Sequence, residues 1–568
     1  GSTVGVMPRS PLLFLMLMVT TMVWSAQWYW SQTIDEPQHL WAGVRILQQG
    51  DWTRFDNSKM PVSVLNAAGW LLSQRPNVQG SWFWARAPQV FWLLATVLLV
   101  FRWVKENHGK KAALLAAALV GFDPNLMAHA GLVTTDLPCT FAILLACFTW
   151  HKMLKEPNLK RALIAGAALG FAQVAKFTAL FLGPILAITT VLWCLFRRSA
   201  APLRRLHWAA LAALFTLNLA YAFSGTFTPG RDIQWKSQAF QTLNQSTIPL
   251  PVPKPWIEGA DWVKHDDDIG QGYVYAGGEL TTLGVPDHYL RVLPRKFPIP
   301  LLLLSLLGFT QLVRRPQGWP EKLTLLVPPL FLIGWFSLAF NCQVGIRYLL
   351  PIIPFLAIWA SRLPTKWLTI GVVWTLLSGL SWWPWGLSYF NETVPDRTQA
   401  WTVVADSDLD WGQTDQMAEQ WQSKHPDGLV DPDVPAPGPV LISANRLIGV
   451  LGNSARMECY RTHFPPTEHL AYALYPINKT AQDFSACFPV VNITSTEGPY
   501  PPGEHLLIIR FTGSAELNVG DHTEKAHSNE EMLLGAVVLA DSPFSAKWTI
   551  PPNATVYLNG AIIDGKQP

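Results

Sequence analysis

Apolar segments about as long as a bilayer-spanning helix, roughly 17–25 residues, recur through the first two thirds of this sequence. No other feature limits the fold as tightly. They lie near 11–30, 87–104, 112–128, 136–153, 162–176, 178–196, 207–224, 299–313, 323–340, 347–361 and 367–385. In hydrocarbon a backbone must satisfy its own N–H and C=O groups, so these runs are expected as helices. Only 14% of the 568 residues are charged and 50% are hydrophobic, whereas soluble domains carry about 25% charged residues. The expected fold is therefore a polytopic α-helical membrane protein with about eleven transmembrane helices. Lys176 and Pro184 interrupt one apolar run, so the pair within 162–196 is the least clearly divided. The first segment has a second reading as a signal peptide, with Arg9 before it and Val23-Trp24-Ser25 as a cleavage site. Its apolar character continues through Trp30, which favours a span.

Basic residues set the expected orientation. Lys105, Lys110 and Lys111 fall in one loop, and Lys152, Lys155, Lys160 and Arg161 in the next but one. Arg197, Arg198, Arg204 and Arg205 follow, then Arg314, Arg315 and Lys322, then Arg362 and Lys366. These alternate loops share one side, which the positive-inside rule makes cytoplasmic. The long loops 31–86 and 225–298, and everything after about residue 386, then lie outside. For a bacterial chain this means the inner membrane, with those parts periplasmic. A net charge of +3 gives no reason to expect a nucleic-acid partner.

Two domains follow: a transmembrane domain over 1–389 and an extracytoplasmic domain over 390–568. The second is polar and rich in Pro and Gly. Strand-like runs at 440–443, 506–510 and 531–539, with a helix near 412–423, suggest a small α/β or β-rich fold. Cys459 and Cys487 are its two cysteines and can pair if the domain is outside. Asn391, Asn478, Asn492 and Asn553 sit in N-x-S/T sequons.

Thr33-Ile34-Asp35-Glu36-Pro37-Gln38-His39 leaves the first span at the interface. Charge beside a bilayer is costly without a partner or a task. The two carboxylates either end a helix or do chemistry, and if the segment is helical His39 shares a face with Asp35. Trp82-Phe83-Trp84 and Trp382-Trp383-Pro384-Trp385 read as an interfacial aromatic belt. Asp266-Asp267-Asp268 reads as a solvated surface.

Several strings carry a family likeness. Asp35-Glu36 followed by Gly50-Asp51 and Lys59-Met60-Pro61 resembles the first external loop of GT-C glycosyltransferases. That superfamily includes protein O-mannosyltransferases and the lipid A aminoarabinose transferases. The likeness continues through Ala85-Arg86, the 131–138 string Gly-Leu-Val-Thr-Thr-Asp-Leu-Pro, the 175–179 string Ala-Lys-Phe-Thr-Ala and the 345–351 string Gly-Ile-Arg-Tyr-Leu-Leu-Pro. Tyr389-Phe390-Asn391-Glu392 and the 406–413 string Asp-Ser-Asp-Leu-Asp-Trp-Gly-Gln resemble the segment after the membrane region of bacterial members.

The resemblance implies a GT-C fold and transfer of a sugar from a polyprenyl-phosphate donor to an extracytoplasmic protein, lipid or glycan, with inversion. It implies Asp35 as general base, with Glu36 and Asp136 as further catalytic candidates. Asp136 has a second reading as a helix N-cap, and with His129 as half of a metal site; a divalent metal is left open, and no residue spacing demands one. A leaving phosphate needs cations, for which Lys59, Arg86, Lys296 and Arg347 are candidates, with Lys176, His39 and Tyr348 as further substrate contacts. Snorkelling to head groups is the alternative for the four phosphate candidates. Met60 stands where the Lys-Pro-Pro-type element of the aminoarabinose transferases has Pro. The 273–278 stretch is expected as a lid beside the site. The rival reading is a transporter or flippase of lipid-linked sugars, which would spread polar residues through mid-membrane helices.

Overall fold

The computed structural model describes residues 10–53, 59–73, 78–270, 272–314, 318–452, 454–480, 483, 503–519, 522–540, 546–549, 555–558 and 561–565. Arg9, Arg315, Cys487, Asn492 and Asn553, named above, lie outside the described residues. The chain divides into two compact units, Gly1–Pro395 with Trp411–Gln413, and Asp396–Asp410 with Thr414–Pro568.

The first unit is polytopic and helical. Among the described residues, five segments are long and apolar enough to cross a membrane: Pro11–Tyr29, Trp82–Gly121, Asp136–Lys155, Phe177–Arg197 and Trp319–Leu338. A sixth arises if His288–Lys296 and Ile299–Arg314, bent by 112°, count as one span. Other expected spans are shorter helices, such as Leu159–Ala175, Leu206–Ala220 and Thr365–Leu380. The expected spans at 87–104 and 112–128 share the 32-residue helical run Val90–Gly121, broken at Gly109 (φ 81°, ψ 173°). A methyl on Gly121 would lie 3.5 Å from Val97, so the two arms fold back on one another. The second arm stops at Asp123-Pro124, where the Asp123 carboxylate accepts the Asn125 and Leu126 N–H groups and caps the short helix Pro124–His129.

The break foreseen within 162–196 falls at Lys176, which is extended (φ −164°, ψ 150°) between Leu159–Ala175 and the 3₁₀ turn Phe177–Phe181. Gln173 Nε2 donates to the Ala179 carbonyl across it at 2.8 Å. Pro184 sits in the first turn of Leu182–Arg197, where a missing N–H costs nothing. The core holds Val19, Val97, Val120, Leu137, Ile353 and Phe355, all fully buried. Gly308 packs so close to the Trp359 carbonyl that a Cβ would stand 2.0 Å from it; small residues let helices approach where lipid gives them no hydrophobic push.

The second unit is a small mixed α/β assembly. Leu429–Val430 pairs parallel, and Leu474–Lys479 antiparallel, with Gly438–Ser443. A second sheet of five strands is built on the antiparallel pair Gly503–Val519 and His522–Ala540. The expected strands at 440–443, 506–510 and 531–539 fall inside these, and the expected helix is Asp415–Lys424. Cys459 is disulfide-bonded. Asn478 is exposed, whereas Asn391 in the first unit is buried, donating to the Pro294 and Phe297 carbonyls at 2.6 Å, so its sequon faces no solvent.

Candidate active site

Asp35 takes the N-cap position of the helix Glu36–Gln49, yet its carboxylate makes no capping bond. Its Oδ2 instead accepts from Arg347 Nη1 at 3.2 Å. His39 follows one turn later, buried, its N–H donating to the Asp35 carbonyl at 3.2 Å. At Gly43 the Ser63 carbonyl lies 2.5 Å from where a Cβ would stand, so only glycine permits this approach. The approach carries Lys59 to the same cavity as Asp35 and His39. Met60 has φ −123°, outside the range near −65° that proline imposes, so Met suits the local backbone.

Opposite, Asp136 starts the helix Asp136–Lys155, where the helix dipole favours a carboxylate. Thr135, not Asp136, is the N-cap. Lys176 Nζ donates to Asp136 Oδ1 at 2.5 Å and lies 4.8 Å from the centre of the Tyr348 ring. His129 Nδ1 lies 3.5 Å from Asp136 Oδ2. Among the described residues, no group of three or more His, Cys, Asp and Glu is placed to hold a metal ion. Arg347 and Tyr348 share the 3₁₀ turn Ile346–Tyr348.

These groups meet in one cavity of about 330 Å³. Asp35, His39, Lys59, Asp136, Lys176, Arg347 and Tyr348 line it, facing an apolar wall that includes Phe177, Phe181, Phe336 and Phe340. The aromatic surface runs on beyond the cavity, from Phe181 to Trp335 (ring centres 5.0 Å apart) and from Trp335 to Phe331 (5.9 Å). Burial opposes the charge on Asp35, but Arg347, which also donates to it, and Lys59 outweigh it and hold the carboxyl below the usual aspartate range. Burial and then Lys59 push His39 down from 6.5 to about 3, so it is neutral near pH 7.

Three of the site candidates stand elsewhere. Glu36 is fully buried behind the cavity; its carboxylate accepts from Thr33 N and Val133 N at 2.9 Å, and from Arg86 Nε at 2.8 Å and Nη2 at 2.6 Å. Arg86, 2% exposed, also donates to the Trp30 and Ser31 carbonyls. Together they join the first loop to the helices. Lys296, buried, donates to the Leu387 carbonyl at 3.1 Å and lies over Phe390.

Asp266 and Asp267 correct the solvated-surface reading, whereas Asp268 is exposed. Asp266 is buried and lines the cavity, and Asp267 Oδ1 accepts from Asn341 N at 2.7 Å. On the helix Lys254–Ile269 both lie one turn beyond Val263, on the face that Ala260 and Val263 bury, and that spacing was the available signal. Within 273–278, Val274–Ala276 pairs with Glu279–Thr281 through Gly277 and Gly278, both at positive φ, a tight hairpin of the primed-turn kind.

The many-helix unit thus sets buried carboxylate–cation pairs beside an aromatic wall, a cavity whose lining suits an anionic group joined to an apolar one. Residues 67–223 match the family described as dolichyl-phosphate-mannose-protein mannosyltransferase. No curated protein matches the sequence. Among solved structures it is similar to ArnT from Cupriavidus metallidurans bound to undecaprenyl phosphate, at 16% identity and TM-score 0.45, over 67% of this chain and 72% of that one. It is also similar to the Archaeoglobus fulgidus oligosaccharyltransferase in complex with Zn and sulfate, at 13% identity and TM-score 0.44, over 69% of this chain and 55% of that one. For the S. cerevisiae protein O-mannosyltransferase Pmt1-Pmt2 complex bound to the sugar donor the values are 18% and 0.30, over 43% and 38%.

Proposed function

We propose that the protein moves a sugar from an undecaprenyl- or dolichyl-phosphate donor onto an acceptor hydroxyl outside the cytoplasm. The reading rests on the Asp35–Arg347 pair, 3.2 Å apart, in a cavity shared with Lys59, Lys176 and an aromatic wall. Lys59 and Arg347 hold the donor phosphate, and the sugar faces Asp35. The acceptor oxygen bonds to the anomeric carbon as the carbon–oxygen bond to phosphate breaks. The bonding pair leaves with the polyprenyl phosphate, and the acceptor proton passes to Asp35. A single displacement inverts the anomeric centre.

Arg347 serves two anions in turn. As charge builds on the leaving phosphate the guanidinium is drawn to it, and Asp35 becomes more basic as its proton arrives. Lys176, fixed between Asp136 and Tyr348, adds positive charge at the same wall, and neutral His39 offers a ring nitrogen to a sugar hydroxyl. Glu36, Arg86 and Lys296 hold the frame.

The proposed topology keeps eleven crossings, with the cavity and residues 390–568 on the periplasmic face of a bacterial inner membrane; the basic loops support it. Protein Ser/Thr, lipid A, wall polymer and lipid-linked glycan are the acceptor classes.

The test is purified protein in lipid nanodiscs, given a panel of undecaprenyl-phosphoryl sugars and these acceptors. Release of undecaprenyl phosphate is expected from the wild type and not from Asp35→Asn. Equal release from both overturns the base assignment. Donor flipping in liposomes with no transfer or hydrolysis would establish the transporter reading instead.

A further inference from the structure

Trp411-Gly412-Gln413 is the one stretch after Pro395 that packs within the first unit. Trp411 is buried among Ala26, Trp30, Ala128, Leu132 and Leu387. The centre of its ring lies 4.2 Å from the guanidinium carbon of Arg347. The Trp411 carbonyl accepts the Ile34 N–H and the Gln413 carbonyl the Ser31 N–H, each at 3.0 Å. Gly412, at φ +89°, turns the chain between them. Gln413 locks the strap: its Oε1 accepts the Trp411 N–H at 2.6 Å and its Nε2 donates to Ser388 Oγ at 3.2 Å. None of the three residues lines the cavity.

We propose that this strap is a positioning device, in which Trp411 fixes the Arg347 guanidinium while its backbone and that of Gln413 fix the chain leading into Asp35. The inference rests on the proposed function, because it takes Arg347 and Asp35 as the working pair. Cation–π attraction draws the guanidinium to the indole face. In this position Arg347 Nη1 donates to Asp35 Oδ2 at 3.2 Å. Arg347 has a flexible stem on a short turn; held on one side by an indole, it loses less freedom on meeting an anion. The two backbone hydrogen bonds act on the other member of the pair, since Ser31 and Ile34 lie just before Asp35. One segment of three residues thus registers both halves of the site.

The experiment measures undecaprenyl phosphate binding by the full chain in nanodiscs, for wild type, Trp411→Phe, Trp411→Leu, Arg347→Ala and the double variant Trp411→Leu/Arg347→Ala. A desolvated cation–π contact sets the expected loss for Trp411→Leu at about tenfold to thirtyfold in Kd. Trp411→Phe, which keeps an aromatic face, should stay within about threefold. The double variant should bind no more weakly than Arg347→Ala, since the ring acts through the arginine. Wild-type binding by Trp411→Leu overturns the proposal. So does a Trp411→Phe as weak as Trp411→Leu together with additive losses in the double variant, the result of mere packing. Absence of lipid-phosphate binding by the wild type overturns the proposed function itself.

Discussion

Replacing Glu36 tests whether the second carboxylate of the Asp35-Glu36 pair works on the substrate or on the scaffold. In Glu36→Ala, the Thr33 and Val133 N–H groups and two Arg86 nitrogens lose their acceptor. Arg86, 2% exposed, keeps its charge with only two carbonyls still facing it. Breaking a buried pair from one side costs about 3–5 kcal/mol, because the remaining charge cannot regain water. Spread over a large helical unit, this lowers the unfolding midpoint by about 4–6 °C. The assay is thermal unfolding in detergent, read beside sugar transfer below the midpoint. Glu36→Gln should be milder, since an amide oxygen still serves two donors. A double change, Glu36→Leu with Arg86→Met, should recover most of the lost stability, as apolar replacement of whole buried pairs commonly does. A wild-type midpoint for Glu36→Gln with abolished transfer would refute the reasoning and return Glu36 to the chemistry.

The pH dependence separates the two groups of the loop helix. His39 is neutral in the folded protein with its pKa pushed down to about 3, against 6.5 when unfolded; below pH 6.5 the unfolded chain binds a proton that the folded one refuses. Stability therefore falls by up to about 1.4 kcal/mol per pH unit between 6.5 and 3, and midpoints measured across that range should flatten in His39→Gln. Asp35 is held below the usual aspartate range, so the acid limb of its transfer profile should lie below about pH 4 and move upward in Arg347→Ala. Lys176→Met leaves Asp136 without its 2.5 Å partner and should lower both transfer and the unfolding midpoint, by about 3–5 kcal/mol in stability; an unchanged midpoint would show that Asp136 has solvent. Asn391→Gln should change the intact mass by its one added methylene and nothing more in a glycosylating host, by intact-protein mass spectrometry, because the side chain is enclosed and carries no glycan to lose.

The sequence by itself determined that this is a many-helix membrane protein, because apolar runs of bilayer length admit little else. Family resemblance and the cost of charge beside a bilayer together singled out Asp35, Glu36, His39, Lys59, Arg86, Asp136, Lys176, Lys296 and Arg347. In the second unit the strands around 440–443, 506–510 and 531–539 were legible as short apolar runs between turn residues, whereas Leu474–Lys479 and Thr555–Leu558 were not. What tertiary structure alone decided is which charge meets which. Glu36 and Asp35 are neighbours in sequence, yet one helical step of about 100° sends one into a closed ion pair and the other toward the cavity. Lys296 and Arg86 look like Arg347 in a string of letters; only packing shows that backbone carbonyls and Glu36 already hold them. The pairing of Asp35 with Arg347 spans 312 positions, and nothing local specifies it. Local pattern fixes which groups cannot remain alone, and long-range packing chooses their partners.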